Sequence, residues 1–213
     1  MQFYDFIIKL AEHLKKPLPG KDAHSQMVSE TRFRTKIAPD HTTRKSAVLI
    51  LFYPYQKDIF LPLILRPAYD GVHGGQMAFP GGRQEKDDES LIRTALREAQ
   101  EEIGVKAIDV KIIGQLTEIF IPPSNFWVQP VIGYIPYRPD FFPDPREVET
   151  VVEVRLKEFL EEGVKTQKWV ETRGYQFETP GYAVLNQWIW GATALMIAEL
   201  LAVIQEFHTK EDK

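Results

Sequence analysis

The sequence predicts a single α/β unit in which helices cover a mixed β-sheet, and three observations lead there. Two β-rich runs, SAVLILFY (46–53) and IFLPLILR (59–66), are joined by the short polar turn PYQKD. An amphipathic helix follows them, with further strand-like runs beyond it. An apolar helix closes the chain at about 187–206, so strands stand on both sides of a central helix, as in a layered fold. With 213 residues, 44% of them hydrophobic and 12% aromatic, the chain can bury one full core.

In chain order, residues 2–16 read as an amphipathic helix, which the stretch PLPG (17–20) stops. Residues 21–45 are polar and basic without periodicity and read as an irregular arm. Together, 1–45 are expected to pack as helix and arm on a domain spanning 46–207. The runs 46–53 and 59–66 form a hairpin, and Pro62, which cannot donate to a ladder, places the second at an edge or a bulge. A glycine-rich loop, Tyr69 to Gly75, comes next. Strand-like runs near 110–120, 126–136, 148–155 and 168–178 follow the central helix.

That central helix is the informative one. At about 100° per residue, Ile92, Ala95, Leu96, Ala99 and Ile103 share one arc and face the core. Asp88 is expected to cap the N-terminus and Gly104 to take the left-handed position beyond the last turn, giving a helix from Glu89 to Ile103. Glu89, Arg93, Arg97 and Gln100 form the solvent stripe. Glu98, Glu101 and Glu102 occupy a separate arc, because spacings of three and four bring side chains together.

Such like-charge pairs cost a few tenths of a kcal/mol each, and all three lie near the negative end of the helix dipole. A hard divalent cation, Mg²⁺ or Mn²⁺, would compensate, since it takes carboxylate oxygens and keeps waters that a phosphate can replace. A solvated acidic face is the alternative.

Composition narrows the partners. The 26 basic and 30 acidic residues leave a net charge of −4, so no broad positive field is present to attract nucleic acid or an anionic membrane. Cysteine is absent, which excludes disulfides and thiolate metal sites and fits a reducing cytoplasm. The N-terminus carries Asp5 and no basic leader, so it does not read as a signal peptide. The apolar stretch 191–204 contains Glu199 and is too short to cross a bilayer. These readings lead to the expectation of a soluble, cytoplasmic protein.

The segment from Phe79 to Val105, FPGGRQEKDDESLIRTALREAQEEIGV, resembles the signature of Nudix hydrolases. Gly82, Glu89, Arg97, Glu98, Ala99, Glu101, Glu102, Gly104 and Val105 supply the pattern. One departure is visible: six residues rather than five separate Gly82 from Glu89, and Asp88 occupies the standard offset. The resemblance implies a Nudix α/β/α sandwich with a mixed β-sheet. It also implies cleavage by water, with Mg²⁺ or Mn²⁺, of a nucleoside diphosphate linked to another moiety. On the family pattern Glu98, Glu101 and Glu102 ligate metal with the Gly82 carbonyl, and Arg97 orients a glutamate. Glu147, in PREVE, is a candidate for a further metal contact or for the base that deprotonates the attacking water.

Immediately upstream, LILRPAYDGVHGGQMAFPGG (63–82) resembles the motif that marks the coenzyme A pyrophosphatase branch. Leu63, Arg66, Gly75, Phe79, Pro80, Gly81 and Gly82 match in spacing, while Ile64, Pro67 and Gly71 depart from it. Stretches 142–160 and 189–201 also look like that branch, so the resemblance covers most of 45–206. It implies hydrolysis of coenzyme A or an acyl derivative to 3′,5′-ADP and a 4′-phosphopantetheine.

Arg66 ends a strand beside a glycine loop, a place from which its forked donors can reach phosphate. His73 and Gln76 flank Gly74 and Gly75, where backbone can approach a ligand. With Gly81 these residues form the expected substrate-binding set. Metal ligation by His73 is less attractive, because no second histidine stands at helical or strand spacing. Phe126, Trp127, Trp188 and Trp190 could stack adenine, although core burial is the commoner state for each.

A homodimer would be in keeping with the family. Two alternatives stay open on these residues: another substrate (ADP-ribose, a dinucleoside polyphosphate or a damaged nucleotide), and a nucleotide-sensing module without turnover.

Overall fold

Strand β1 (Arg44–Tyr55) is almost continuously apolar because both of its faces are covered. Ile50 and Phe52 enter one core, while Ala47, Leu49 and Leu51, pointing the other way, enter a second. The chain then reverses at Gln56 and Lys57, with φ of 47° and 68°, a two-residue turn tighter than the polar linker expected. Strand β2 (Asp58–Leu65) follows. The computed structural model describes residues 2–28, 38–68, 74–172 and 174–208.

The main sheet adds β3 (Met77–Ala78), β4 (Gly81–Arg83), β5 (Lys111–Gln115), β6 (Ile119–Ile121), β7 (Phe126–Tyr134) and β8 (Thr150–Arg155). Its order is β3-β2-β1-β7-β5, with β4 also on β1, β6 on β7 and β8 on β2. Among the described residues only β1 and β7 run parallel, so the sheet is mixed. Of the edge strand or bulge that the sequence allowed for Pro62, β2 is not an edge strand, having β8 along one side and β1 and β3 on the other, but the latter side is unpaired at the proline itself. The ladder from β1 ends at Phe60, two residues before the proline, so the missing donor meets no β1 partner.

Strand β9 (Lys165–Thr172), β10 (Tyr175–Val184) and β11 (Gln187–Trp190) form a second, antiparallel sheet. The run 168–178 is therefore a hairpin, not one strand, and it turns at Gly174 with φ of 75°. The run 110–120 is likewise two strands. It breaks at Thr117, whose N–H donates to the Glu199 carboxylate instead of a ladder.

Helix α1 (Phe3–His13) buries Phe6, Ile7 and Leu10, with Phe6 packing edge-on against Phe52 at 5.2 Å. Helix α2 (Gly20–Ser25) is a correction to the irregular arm. It is fixed from outside its own sequence, because Glu199 accepts from the Gly20 N–H at 3.1 Å and pairs with His24 Nε2 at 3.0 Å. Periodicity cannot register such a contact. Residues 29–37 of the same arm lie outside the described residues.

Helix α3 (Leu91–Ile103) lays Ala95, Leu96, Ala99 and Ile103 on the other face of the sheet, as the wheel predicts. Helix α4 (Gly191–His208) begins four residues later than expected, because 187–190 pair with β10. At 18 residues it is longer than the apolar stretch and meets the length and composition of a membrane span, with 67% of it buried inside the protein. Its residues are apolar all round because it is a core helix, packed with α1 and the second sheet. Helices on both faces of one mixed sheet make the α/β/α sandwich.

Candidate active site

The acidic edge of α3 faces a cleft of about 930 Å³ that is also lined by β4, the end of β2, the 135–149 loop, the second sheet and the start of α4. Local signals place the helix. Ser90, not Asp88, is its N-cap, the hydroxyl accepting the Arg93 N–H at 3.3 Å, so the helix starts at Leu91. Gly104 takes the left-handed conformation with φ of 74°, as expected.

Freed from capping, Asp88 binds Arg97. Its Oδ1 accepts from Nε at 3.1 Å and its Oδ2 from Nη2 at 3.0 Å, while Thr94 Oγ1 and the Glu85 N–H donate to the same carboxylate. These donors, the guanidinium above all, hold the Asp88 carboxyl at about 2. Arg97 is thus not on a solvent stripe. It also pairs with Glu98 at 3.0 Å and Glu101 at 2.9 Å and donates to the Arg83 carbonyl; the bonds to Asp88 first, and Glu98 after them, raise its own pKa against burial. The arginine gathers three carboxylates and one backbone oxygen, and the sequence left this role for the first acidic position unassigned between Asp88 and Glu89. The offset of Asp88 from Gly82 was the signal.

The three glutamates differ in setting. Glu102 is 1% exposed; its Oε2 accepts the Gly81 N–H at 2.7 Å and its Oε1 faces Arg66 Nη2 at 3.3 Å. Burial pushes its carboxyl up to about 7 against the pull of Arg66 and the Gly81 N–H, with Glu98 and Glu147 adding to the rise. Glu98 is raised too, by burial first, against Arg97 and with help from Glu101 and Glu147. Its carboxylate presses on Gly82 so closely that a side chain there would collide with it. Glu101 is the exposed member, its side chain 58% accessible and tied to Arg97.

Glu147, Gln76, Gly81, Gly82 and Arg66 all line the same cleft. Arg66 donates through Nη2 to the Gly81 carbonyl at 3.0 Å as well as to Glu102, so it braces the site as much as it faces the cleft. His73 lies outside the described residues. Phe126 and Trp190 are half-buried on the cleft wall, not in the core. Trp188 instead packs under Lys168, and Trp127 against Phe120. Met27, Phe177 and Met196 also line the cleft and carry no sequence signal of it.

As donors for a cation, the acidic groups are all hard oxygens, and their mutual repulsion is what a divalent ion would relieve. The chemistry fits Mg²⁺ or Mn²⁺. No three of them converge into a ready-made cage among the described residues. The reason is visible, because Arg97 draws Glu98 and Glu101 to itself while Gly81 and Arg66 hold Glu102.

The chain has known counterparts. A family model described as the NUDIX domain matches residues 43–177. Proteins called uncharacterised Nudix hydrolase NudL in Yersinia pestis and Yersinia pseudotuberculosis are each 35% identical over 159 residues, 75% of this chain and 79% of theirs. Among solved structures, a MutT/Nudix family protein from Enterococcus faecalis is 18% identical with a TM-score of 0.48, covering 91% of this chain and 73% of its own.

Proposed function

We propose, on the premise that this chain belongs to the Nudix hydrolase family, that it hydrolyses the pyrophosphate bond of coenzyme A or an acyl-coenzyme A. The products are 3′,5′-ADP and 4′-phosphopantetheine or its acyl form. One observation carries the reading: Arg66 and the Gly81–Gly82 turn, from the stretch resembling the coenzyme A pyrophosphatase motif, touch the acidic edge of α3 in one cleft.

Nudix hydrolases generally use divalent metal ions. In this chain Glu98, Glu101 and Glu102, with the Gly82 carbonyl, would hold Mg²⁺ or Mn²⁺, which neutralises diphosphate charge and acidifies water when bound. The remaining work falls to the protein's own groups. Arg97, anchored by Asp88, positions Glu98 and Glu101. Arg66 holds Glu102 and offers its guanidinium to a substrate phosphate, while Gln76 and the Gly81 backbone orient the substrate. Glu147 accepts the proton of the water whose oxygen attacks phosphorus. The bridging P–O bond breaks as the new one forms, and the leaving phosphate keeps the bridging oxygen.

Incubation of the purified protein with coenzyme A and Mn²⁺ tests this directly. Equal amounts of 3′,5′-ADP and 4′-phosphopantetheine are expected. Faster turnover of ADP-ribose or a dinucleoside polyphosphate would replace the substrate, and tight nucleotide binding without metal-stimulated hydrolysis would replace the enzyme by a sensing module.

A further inference from the structure

Backbone bonds tie the 135–149 loop to the elements that carry the site. The last turn of α3 leaves carbonyls that the helix cannot satisfy itself, and the loop takes two of them: the Phe142 N–H donates to the Ile103 carbonyl and the Asp144 N–H to that of Glu102, each at 3.0 Å. Farther along, the Glu149 N–H donates at 2.8 Å to the carbonyl of Leu65, the neighbour of Arg66. Between these anchors Val148 is buried in the core under α3. The stretch 144–149 is thus pinned at one end to Glu102 and at the other beside Arg66.

Within that stretch Asp144 builds a single turn. Its carbonyl accepts the Glu147 N–H at 3.0 Å and the Val148 N–H at 2.8 Å, and its Oδ1 accepts the Arg146 N–H at 2.9 Å. Pro145 fixes φ at the next position, and Asp followed by Pro is the order a type I turn favours. Asp144 therefore holds in two directions, its N–H on the backbone of Glu102 and its oxygens on the turn that carries Glu147. Glu147 needs such a hold. It is exposed, and its charge bears on those of Glu98 and Glu102, so repulsion works to turn it out of the cleft. A base must lie within hydrogen-bond reach of its proton, and a displacement of about 1 Å can cost about 100-fold in rate.

Resting on the reading above that Glu147 is the base, we propose that Asp144 is its positioning residue: the turn it builds sets Glu147 in register with the glutamates of α3. The bond that does this is the one from the Arg146 N–H to Oδ1. The ion pair between the Asp144 carboxylate and the Arg146 guanidinium is secondary, because the arginine side chain is 84% exposed and pairs in solvent contribute little.

Steady-state kinetics at fixed Mn²⁺, on coenzyme A and on ADP-ribose, tests this with variants checked for folding by thermal melting. Asp144→Ala is expected to lower kcat about tenfold or more with KM unchanged. Asp144→Asn, which keeps an oxygen for the Arg146 N–H, should restore most of that loss, and Arg146→Ala, which removes only the guanidinium, should change little. In a Glu147→Gln background, itself slowed about 100-fold or more, Asp144→Ala should cost nothing further, because the group it aims is gone. In metal-free protein, amide exchange at residues 146–148 should quicken roughly three- to tenfold in Asp144→Ala and stay at the wild-type rate in Asp144→Asn. A full separate loss from Asp144→Ala in the Glu147→Gln background, failure of asparagine to rescue, or an equal loss in Arg146→Ala overturns the positioning role and leaves Glu147 as the base. Wild-type kcat in Glu147→Gln, or no turnover of either substrate by the wild type, overturns the base and this inference together.

Discussion

Asp88 holds Arg97 by two parallel hydrogen bonds, Oδ1 to Nε at 3.1 Å and Oδ2 to Nη2 at 3.0 Å, and through Arg97 it governs where Glu98 and Glu101 point. The pair stays ionised at working pH, because the Asp88 carboxyl sits at about 2; its contribution is present above the unfolded value of 3.8 and lost only as pH falls through about 2. Asp88→Asn should therefore lower kcat/KM by about 10–100-fold, the usual loss when a group that orients a ligand is removed. Glu89→Gln, on the neighbouring exposed residue, should leave it essentially unchanged. Steady-state kinetics on the two variants decides, and equal losses would return the role to Glu89.

Glu102 is buried with its carboxyl raised to about 7 from 4.5. Because the folded state favours the protonated form, its contribution to stability is full below about 4.5 and disappears as pH rises through about 7. Glu102→Gln imitates the neutral form. With a chelator present it should melt above the wild type at pH 8, by on the order of 1–3 kcal/mol, and the gap should close at pH 4. Its hydrolytic activity should fall at least about 100-fold. A variant less stable than the wild type at pH 8 would show that the Gly81 and Arg66 bonds outweigh the burial.

Neighbouring glycines should fail differently. A side chain at Gly81 would strike the Ala47 carbonyl and the Val48 backbone, which cannot yield, so Gly81→Ala should cost about 1–3 kcal/mol or more in a denaturant melt. At Gly82 the obstacle is the Glu98 carboxylate, the mobile end of a side chain. Gly82→Ala should keep wild-type stability within about 1 kcal/mol while losing most activity, because Glu98 is pushed from its place.

Glu199 lies fully buried in the opposite core and accepts from the Gly20 N–H, the Thr117 N–H, Thr117 Oγ1 at 2.6 Å and His24. Burial alone would raise its carboxyl, yet the bonds from His24 and Thr117 prevail and lower it. Its stabilisation is thus present above the unfolded value of 4.5 and lost as pH falls through the lower folded one. Glu199→Ala should cost roughly 3–5 kcal/mol and expose α2 to early amide exchange. Exchange in Gly20–Ser25 no faster than in the wild type would show that α2 does not depend on it.

Whatever follows from periodicity and local chemistry is legible along the chain. The hydrophobic arc of α3, its left-handed stop at Gly104 and the clustering of Glu98, Glu101 and Glu102 are consequences of spacing along one helix. The apolar runs of β1 and β2 are equally local. The family signature added the α/β/α layering that those elements take.

Packing settled what depends on residues far apart in the chain. It bent the run 110–120 at Thr117 and fixed α2, both through Glu199, and it turned 187–190 into a strand by pairing them with β10. It chose Asp88 over Glu89 as the partner of Arg97, because the helix is capped only at Ser90 and the turn before it, closed by the Glu85 N–H on Asp88, faces that carboxylate to the guanidinium. It also ranked three glutamates that look alike in the sequence, since desolvation depends on what covers a group: Gly81 and Arg66 close over Glu102, whereas Glu101 meets water. Spacing places a charge on a face; the distant backbone that packs against that face sets its pKa.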